Sequence, residues 1–580
     1  MRGRWVIAAL LAAAPVLLFA AATVLPALAQ DNTAAAEDAD DPNAGGADPA
    51  DQQVATPDAA IPADANPADQ AAAPAEDPDQ SQAEQPSATP VQTVDIPAPA
   101  SPVVEAIRTK LGDAASSQGA SAGDLAALVA FYNMRSDPIW MTDMGFSSEA
   151  QAAIDEVLRA DDWGLSAADF QMPPAGDLPD SVDDQALNEI KLDLAILKYA
   201  RYARGGRTVP AQLSKLYGMS PSLRDPKTVL VEIAAAPQPD VYLQGLHPKH
   251  VQFQRLHQAL LKARAESEAG AKPANMQKII VNMERWRWMP ENLGSLHVLL
   301  NVPAFTVFVA RDGKAIYQDK IVVGELKYAT PVFSADLKSV VFNPEWTVPP
   351  TIVRENLLPK LRGGGGFFGG NTSILKQHGL TVNYNGKRVD PSSIDWNHVN
   401  MGAISFNQAP GPENVLGKVK FVYPNPYSVY MHDTIKEGLF NKDMRAEGHN
   451  CPRVEHPGKI AAVILAQDQN LPQAEVDKLL ASGYNAGVSI KNGVPVHTAY
   501  FTAVADEQGK VAIFSDIYKL DAPVAAAIIG KGAKPEAVAD NAEPKPAKPP
   551  TAPEADPAPT SAIRQPPPPP PATGFAGASP

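Results

Sequence analysis

Cys451 is the residue of this chain best suited to chemistry, and it is the single cysteine among 580 residues. It lies in the stretch RAEGHNCPRVEHP, directly after His449 and Asn450. His432, in YSVYMHDT, closes a predicted strand, and a histidine at a strand end can reach a cysteine in a later loop. Imidazole can take the thiol proton, and the resulting thiolate can carry out acyl transfer if backbone N–H groups face the oxyanion. The alternative for an unpaired cysteine is a small buried apolar residue.

A nucleophile of this kind has to be positioned by folded elements, and these occupy the middle of the chain. Residues 30–100 are rich in Ala, Pro, Asp and Glu, and residues 531–580 are rich in Pro and Ala, so both segments are predicted to be disordered. The proline run at 566–571 is interpreted as a spacer or as a ligand for a partner. Much of the net charge of −16 comes from these segments, and this charge argues against nucleic acid as a partner.

Residues 1–29 have the features of an export signal, because Arg2 and Arg4 precede an apolar run that ends in Ala27-Leu28-Ala29. The run from Trp5 to Leu25 is also long enough to span a bilayer. Cleavage of the signal and its retention as an inner-membrane anchor are therefore both open. In either case we expect the folded part of the chain to lie outside the cytoplasm.

The folded part changes character near residue 280. In residues 101–280 apolar side chains recur at helical spacing, as at Leu125, Leu128 and Tyr132, and one helix is expected to end at Gly205-Gly206. This pattern predicts a helical scaffold domain. Residues 281–530 show short alternating or apolar runs separated by Asn-Pro and Asp-Gly pairs, which predict a β-sandwich or barrel. Residues 363–412 interrupt these runs, beginning with GGGGFFGG, and predict either a lid inserted over a groove or a surface loop.

Several stretches between about residues 283 and 521 resemble one known family. They include, in chain order, NMERWRWMP, NPEWTVPPTI, PGPENVLGKVKF, YPNPYSVYMHDT and LFNKDMRAEGHNCPRVEHP. On these stretches the chain resembles the L,D-transpeptidases, whose catalytic domain is called YkuD-type, and in particular their large YcbB-like branch. The resemblance implies an α+β multidomain fold, in which a helical scaffold domain is followed by a mostly-β sandwich catalytic domain with an inserted lid.

The resemblance also implies a periplasmic enzyme that joins peptidoglycan stem peptides and needs no metal or organic cofactor. Cys451 would attack the bond between diaminopimelate, the third residue, and the terminal D-alanine of a tetrapeptide donor. His432 would be its base and His449 a supporting residue. An acceptor diaminopimelate amine would take the acyl group in a 3→3 crosslink, whereas in some relatives the acceptor is a lysine of an outer-membrane lipoprotein. Carbapenems inhibit this family. The residues that the resemblance places against the substrate are Arg453, Asn450, Tyr430 and Trp346.

The cysteine motif departs from the family pattern Ser/Thr-His-Gly-Cys-hydrophobic-Arg at Gly448, Asn450 and Pro452. Glycine before a nucleophile often has a positive φ, and asparagine enters that region readily, so Asn450 is expected to turn the backbone there. Asn407 also stands where this branch would carry arginine. Three functions stay open: a transpeptidase, a hydrolase of the same fold that uses water as the acceptor, and a pseudoenzyme that binds peptidoglycan.

Overall fold

The computed structural model describes residues 100–112, 120–174, 181–272, 275–363 and 371–530. The predicted export signal, the acidic linker, most of the glycine run and the proline-rich tail lie outside these ranges. Within the ranges no helix combines the length and the apolar character needed to cross a bilayer.

The first part of the described chain is helical. Its elements are α1 (Pro102–Leu111), α2 (Ala122–Tyr132), the hairpin β1 (Met141–Thr142) and β2 (Gly145–Phe146), α3 (Ser148–Leu158), α4 (Val182–Gly205), α5 (Pro210–Leu213), α6 (Pro226–Ala234), α7 (Pro239–Gly245), α8 (Val251–Glu268) and α9 (Met276–Arg287). Each of α1 to α4 begins after a serine whose hydroxyl accepts the N–H three residues on, which fixes where the helix starts. Helix α4 ends at Gly206, whose φ is +86°, close to the predicted glycine ending.

The second part contains a closed β-barrel of eight strands. They are β3 (Leu296–Asn301), β4 (Thr306–Arg311), β5 (Lys314–Val322), β6 (Phe333–Phe342), β11 (Val419–Val422), β12 (Met431–His432), β13 (Arg453–Val454) and β14 (Ala486–Ala499). Their order is β11-β12-β13-β5-β4-β3-β14-β6, and β11 pairs with β6, which closes the ring. The sequence pattern left a sandwich and a barrel open, and this pairing decides for the barrel. The described chain is an α+β protein, as predicted.

Residues 346–408 form a smaller unit between β6 and β11, with a sheet of their own. The elements are β7 (Trp346–Thr347), α10 (Pro350–Ile352), α11 (Leu358–Arg362), α12 (Ser373–Gln377), β8 (Leu380–Tyr384), β9 (Lys387–Val389) and β10 (Ile404–Gln408). Sheet order is β7-β10-β8-β9, and Val382, Trp396 and Phe406 centre a separate apolar cluster. The β8–β9 hairpin turns at Asn385 and Gly386, both at positive φ, as a two-residue hairpin loop requires. We call residues 346–408 the insertion.

Helices α8 and α9 pack on the barrel and share its apolar core. On α9, the buried Arg285 places Nη1 at 2.6 Å from Oδ1 of Asp521, and Asn282 Oδ1 accepts the N–H of Thr502 at 2.8 Å. These contacts tie the helical part to the end of the barrel chain. The remaining elements are α13 (Pro457–Gln469), α14 (Gln473–Ala481), β15 (Ala503–Ala505), β16 (Val511–Ile513) and α15 (Asp521–Ile529).

Candidate active site

Three adjacent barrel strands place His432 between two cations. Lys420 on β11 lies directly opposite His432 on β12, and His432 is paired in turn with Arg453 on β13. Directly paired residues of neighbouring strands point to the same face of a sheet. The residues beside them in these strands, such as Phe421 and Val454, are buried in the barrel core, so this row faces away from the core. The Pro452 carbonyl accepts the His432 N–H at 3.0 Å. Cys451 therefore lies in the loop that leads into β13, the strand next to the one that carries His432.

His432 is buried and its ring orientation is fixed. Its Nδ1 lies 2.5 Å from the carbonyl oxygen of Asp433. A carbonyl oxygen can only accept, so Nδ1 carries the proton and Nε2 keeps a lone pair that can take another. Burial and the nearby charge of Arg453 lower the pKa of His432 to about 3, although the Asp433 carbonyl acts in the opposite direction. The imidazole is therefore neutral over the physiological pH range and is in the form that a general base requires.

The thiol of Cys451 is half-buried, and burial raises its pKa above the usual value. The Tyr430 backbone N–H and the charges of Lys420 and Arg453 act against this effect without overcoming it. At neutral pH the pair therefore rests as a neutral thiol and a neutral imidazole. In such a pair the proton has to leave sulfur as the nucleophile attacks, because a stable thiolate–imidazolium pair is not formed beforehand.

The loop before the nucleophile turns at Gly448 and not at Asn450. Gly448 has φ of +93°, and a Cβ there would lie 2.5 Å from Nη2 of Arg453, so this position requires glycine. Asn450 is absent from the residues with positive φ, so the prediction that it turns the backbone was wrong. The loop makes its left-handed turn two residues earlier, and the Asn450 carbonyl is held by the Thr330 hydroxyl, which donates to it at 2.8 Å.

A second hydrogen-bonded layer supports this loop. The Thr330 hydroxyl accepts the N–H of Gly324 at 3.0 Å, and the Tyr518 hydroxyl donates to the Gly324 carbonyl at 2.6 Å. Gly324 permits the close approach, because a Cβ there would lie 3.1 Å from Cα of Asn450 and still closer to the Tyr328 carbonyl. Thr330 and Tyr518 were not predicted from the sequence, because their contacts join parts of the chain that are far apart in sequence.

Backbone donors are available at the nucleophile. Among the described residues, the N–H groups of Asn450 and Cys451 have no hydrogen-bond acceptor. Pro452 has no N–H, so it contributes none. Two adjacent free N–H groups beside a thiol can stabilise the oxyanion of a tetrahedral intermediate if they face it.

His449 contacts the insertion through Tyr328. The two rings are in contact, with centroids 4.1 Å apart and planes tilted by 30°, and the Tyr328 hydroxyl donates to Glu355 of the insertion at 2.7 Å. Glu355 lies in a single π-helical segment, Val353–Leu357, and segments of this type are frequent at functional sites. The predicted supporting role of His449 stays a prediction, and its side chain is placed between the nucleophile loop and the insertion.

Tyr430 and Trp346 meet at the same edge. The Trp346 side chain lies close enough to the Tyr430 hydroxyl to lower its pKa, against the larger effect of burial, and the Lys420 ammonium lies 4.2 Å from the centre of the Tyr430 ring. Burial raises the pKa of Tyr430, so its hydroxyl stays protonated. Strand β7 thus brings the insertion against the row of Lys420, His432 and Arg453. The predicted substrate contacts of Tyr430 and Trp346 stay predictions.

Lys420 was missed by the sequence analysis. Burial lowers its pKa, and the nearby thiol acts in the opposite direction. The only signal available from the sequence was its place in GKVKF, inside a stretch with family resemblance, because a lysine in a strand carries no motif. Its position opposite His432 depends on strand register, which the sequence does not give directly.

Asn407 lies in the insertion sheet and is used there for cross-strand hydrogen bonds. Its side-chain amide donates to the Thr347 hydroxyl at 3.0 Å, and its Oδ1 accepts from Asn383 at 3.2 Å. These contacts give Asn407 a structural role in the sheet that carries Trp346. They give no separate account of why arginine is absent.

One group of possible metal ligands lies among the described residues, at Asp319, Glu455 and His456. Its donor atoms are already used. Asp319 Oδ1 accepts from the Lys320 N–H and from His456 Nδ1, Oδ2 accepts the His456 N–H, and Glu455 pairs with Lys320 at 3.2 Å. His456 precedes α13, so this group anchors the start of that helix and has a structural explanation.

The fold and the site together define a β-barrel domain with an imidazole on one strand, a thiol in the loop that leads into the next strand, and an inserted sheet at the edge of the barrel. Comparison with known families supports this class. Residues 295–473 match the family model described as the L,D-transpeptidase catalytic domain, YkuD, and residues 126–260 match the one described as the Scaffold domain. The chain contains an L,D-transpeptidase catalytic domain of the YkuD type and a scaffold domain. Cys451 and His432 both lie within the catalytic match.

A Haemophilus influenzae protein named "Putative L,D-transpeptidase" is 32% identical over 247 residues. The match covers 42% of this chain and 48% of that protein, so the chain spans about half the length of this curated relative. A solved structure titled "Structure of the Ldtfm-avibactam carbamoyl enzyme" is 11% identical, covering 35% of this chain and 49% of that one, with a TM-score of 0.17. A TM-score this low supports no argument about the site.

Proposed function

We propose that this protein is a peptidoglycan L,D-transpeptidase that forms 3→3 crosslinks between stem peptides through a thioacyl intermediate on Cys451. The observation that carries the proposal is the hydrogen bond from His432 Nδ1–H to the Asp433 carbonyl. It leaves Nε2 as the proton acceptor, on the strand next to the one that Cys451 precedes. A base in this tautomer beside a thiol is the arrangement that nucleophilic acyl transfer requires.

The donor half-reaction begins when sulfur attacks the carbonyl carbon of diaminopimelate, the third residue of a tetrapeptide. As the S–C bond forms, the thiol proton passes to Nε2 of His432, and the oxyanion is stabilised by the free N–H groups of Asn450 and Cys451. The C–N bond to D-alanine then breaks, and its nitrogen takes the proton back from His432. The products of this half-reaction are free D-alanine and a thioester on Cys451.

The acceptor half-reaction uses the side-chain amine of a second diaminopimelate. Its nitrogen attacks the thioester carbon, the surplus proton goes to His432, and the C–S bond breaks. Sulfur recovers the proton, which restores the neutral pair. The amide that remains is the 3→3 crosslink. The predicted signal at residues 1–29 supports a periplasmic place for this reaction, because peptidoglycan is assembled outside the cytoplasm.

Incubation of the purified protein with a disaccharide-tetrapeptide, followed by mass analysis of the products, tests the proposal. A crosslinked dimer together with free D-alanine is the expected result. Tripeptide without dimer would indicate that water is the acceptor and would replace the transferase by a hydrolase. Unchanged tetrapeptide would contradict both and support a peptidoglycan-binding pseudoenzyme.

A further inference from the structure

Lys420 and Arg453 are two cations, one on each side of His432, and neither forms a salt bridge with a carboxylate in the described part of the chain. Among the described residues no carboxylate lies within 4 Å of either side chain. Glu447 is close enough to affect the pKa of Arg453, but it is paired with Lys442 at 2.5 Å. Two strand spacings separate the Cα atoms of the two cations by roughly 10 Å.

The ammonium of Lys420 is held in place without being neutralised. It is half-buried and lies over the face of Tyr430 at 4.2 Å from the ring centre, in a cation–π contact. The Tyr430 side chain is itself largely buried, and its ring centre lies 5.6 Å from that of His432. Removing a cation from water without a counter-ion is unfavourable, and a carboxylate from a ligand would supply the missing charge. Lys420 is therefore a preorganised binding group for an anion, directly beside the proposed base.

We infer that Lys420 is a specificity-determining residue that binds a carboxylate of the donor stem peptide. The inference rests on the proposed function, because the tetrapeptide donor is what brings carboxylates to this row. Two of them lie near the scissile bond: the terminal carboxylate of the departing D-alanine and the side-chain carboxylate of diaminopimelate. Lys420 binds one of these, and Arg453, predicted to position the substrate, lies on the opposite side of His432.

Binding is measured first, on protein in which Cys451→Ala prevents turnover. The three ligands are the tetrapeptide acid, the same peptide with the D-alanine carboxylate as an amide, and the same peptide with the diaminopimelate side-chain carboxylate as an amide. Each ligand is titrated against four proteins that all carry Cys451→Ala. One has no further change, two carry Lys420→Met or Lys420→Arg, and the fourth carries Lys418→Met as the matched control. Lys418 is exposed and lies two residues away in the sequence.

With Lys420 present, one of the two amides should bind about tenfold or more weakly than the acid, because a charge-assisted hydrogen bond is lost. Lys420→Met should weaken binding of the tetrapeptide acid to the same degree, so that the acid and that amide bind with equal affinity. Lys420→Arg should retain part of the preference, and Lys418→Met should retain all of it. The amide that loses affinity identifies the carboxylate. An unchanged acid-to-amide preference in Lys420→Met would overturn the inference.

Kinetics on the protein with Cys451 intact distinguish carboxylate binding from an effect on the thiol. Lys420→Met should raise KM for the acid donor about tenfold and change kcat less, whereas equal losses of rate with the acid and both amides would contradict carboxylate binding. If wild type makes no product, the proposed function fails, while the binding series on Cys451→Ala still decides the role of Lys420. Equal melting temperatures for the Lys420→Met and Lys418→Met proteins would show that the fold is intact in both.

Discussion

The hydroxyl of Thr330 donates to the backbone carbonyl of Asn450 at 2.8 Å, which links a buried threonine to the residue that precedes the nucleophile. The same hydroxyl accepts the N–H of Gly324. Thr330 lies about 120 positions before the nucleophile, so this hydroxyl holds the loop from another part of the fold.

Thr330→Val should slow acylation of Cys451, because the Asn450 carbonyl and the Gly324 N–H both lose a buried partner. We expect an acylation rate about tenfold lower and a free energy of unfolding lower by about 1–3 kcal/mol. The measurement is the rate of the carbapenem adduct by intact mass, with chemical denaturation for stability. Thr330→Ser keeps the hydroxyl and serves as the control. Equal rates for wild type and Thr330→Val would contradict a positioning role.

Gly448→Ala should be far more harmful than Asn450→Gly. A Cβ at Gly448 would overlap the Arg453 guanidinium, and alanine is strained at φ of +93°, at a cost of about 1–3 kcal/mol. Asn450 has no positive φ to relieve, so its replacement by glycine should change the acylation rate by less than about threefold. The two variants are compared by carbapenem labelling and by melting temperature. A large gain of rate in Asn450→Gly would restore the rejected backbone role.

The pH dependence of stability should show that His432 is neutral in the folded protein. Its pKa is lowered to about 3 in the folded protein, mainly by burial, and is near 6.5 in the unfolded chain. Between these values the unfolded chain binds more protons, so this residue makes the protein less stable as pH falls from 6.5 toward 3. Denaturant titrations at several pH values should show that the free energy of unfolding falls less between pH 6.5 and 3 in His432→Gln than in wild type. The difference isolates His432 from other buried histidines.

The same charge state predicts a wide activity plateau on the acid side. In wild type, kcat/KM for the tetrapeptide should not fall with a midpoint near pH 6.5, because the base is not protonated there. Burial raises the pKa of the Cys451 thiol, so alkylation by iodoacetamide, which requires thiolate, should rise only above the usual cysteine range. An acid limb near 6.5, or alkylation complete at pH 7, would indicate a preformed thiolate–imidazolium pair.

The contact between Tyr328 and Glu355 should affect substrate use more than stability. Tyr328→Phe removes the hydroxyl that donates to Glu355 but keeps the ring that contacts His449. If the insertion closes over bound donor, KM should rise about threefold to fivefold, while the melting temperature changes little because the contact is exposed. Glu355→Gln retains an acceptor and should behave closer to wild type. An unchanged KM in Tyr328→Phe would contradict a closing role for this contact.

Local patterns predicted much of the architecture. The ending of α4 at Gly205-Gly206, the helical run of α2 and the strand-rich region after residue 280 follow from spacing and turn residues. The sequence predicted His432 at a strand end, and the structure places it at the end of β12, next to the strand that Cys451 precedes. Its role as the base for Cys451 stays a prediction. The prediction for Asn450 was wrong because the turn was inferred from residue preference alone. The turn falls at Gly448, where the positive φ and the close approach of Arg453 leave no room for a Cβ.

The contacts that could not be predicted are those between distant parts of the chain. Tyr518 reaches Gly324 across 194 positions, and Lys420 reaches the base only through the register of β11 against β12. Strand register and barrel closure arise from the packing of the whole core, so no local spacing specifies them. The same reason explains why a sandwich and a barrel could not be separated from strand patterns.

The thioacyl intermediate on Cys451 can be detected by intact-mass analysis of the protein during turnover of a disaccharide-tetrapeptide. We expect a covalent adduct of the disaccharide-tripeptide acyl group, released D-alanine in equal amount, and a modified peptide that maps to Cys451. Cys451→Ala should form no adduct and release no D-alanine, with an unchanged melting temperature. Release of D-alanine by Cys451→Ala at the wild-type rate, or an adduct on any other residue, would contradict the account.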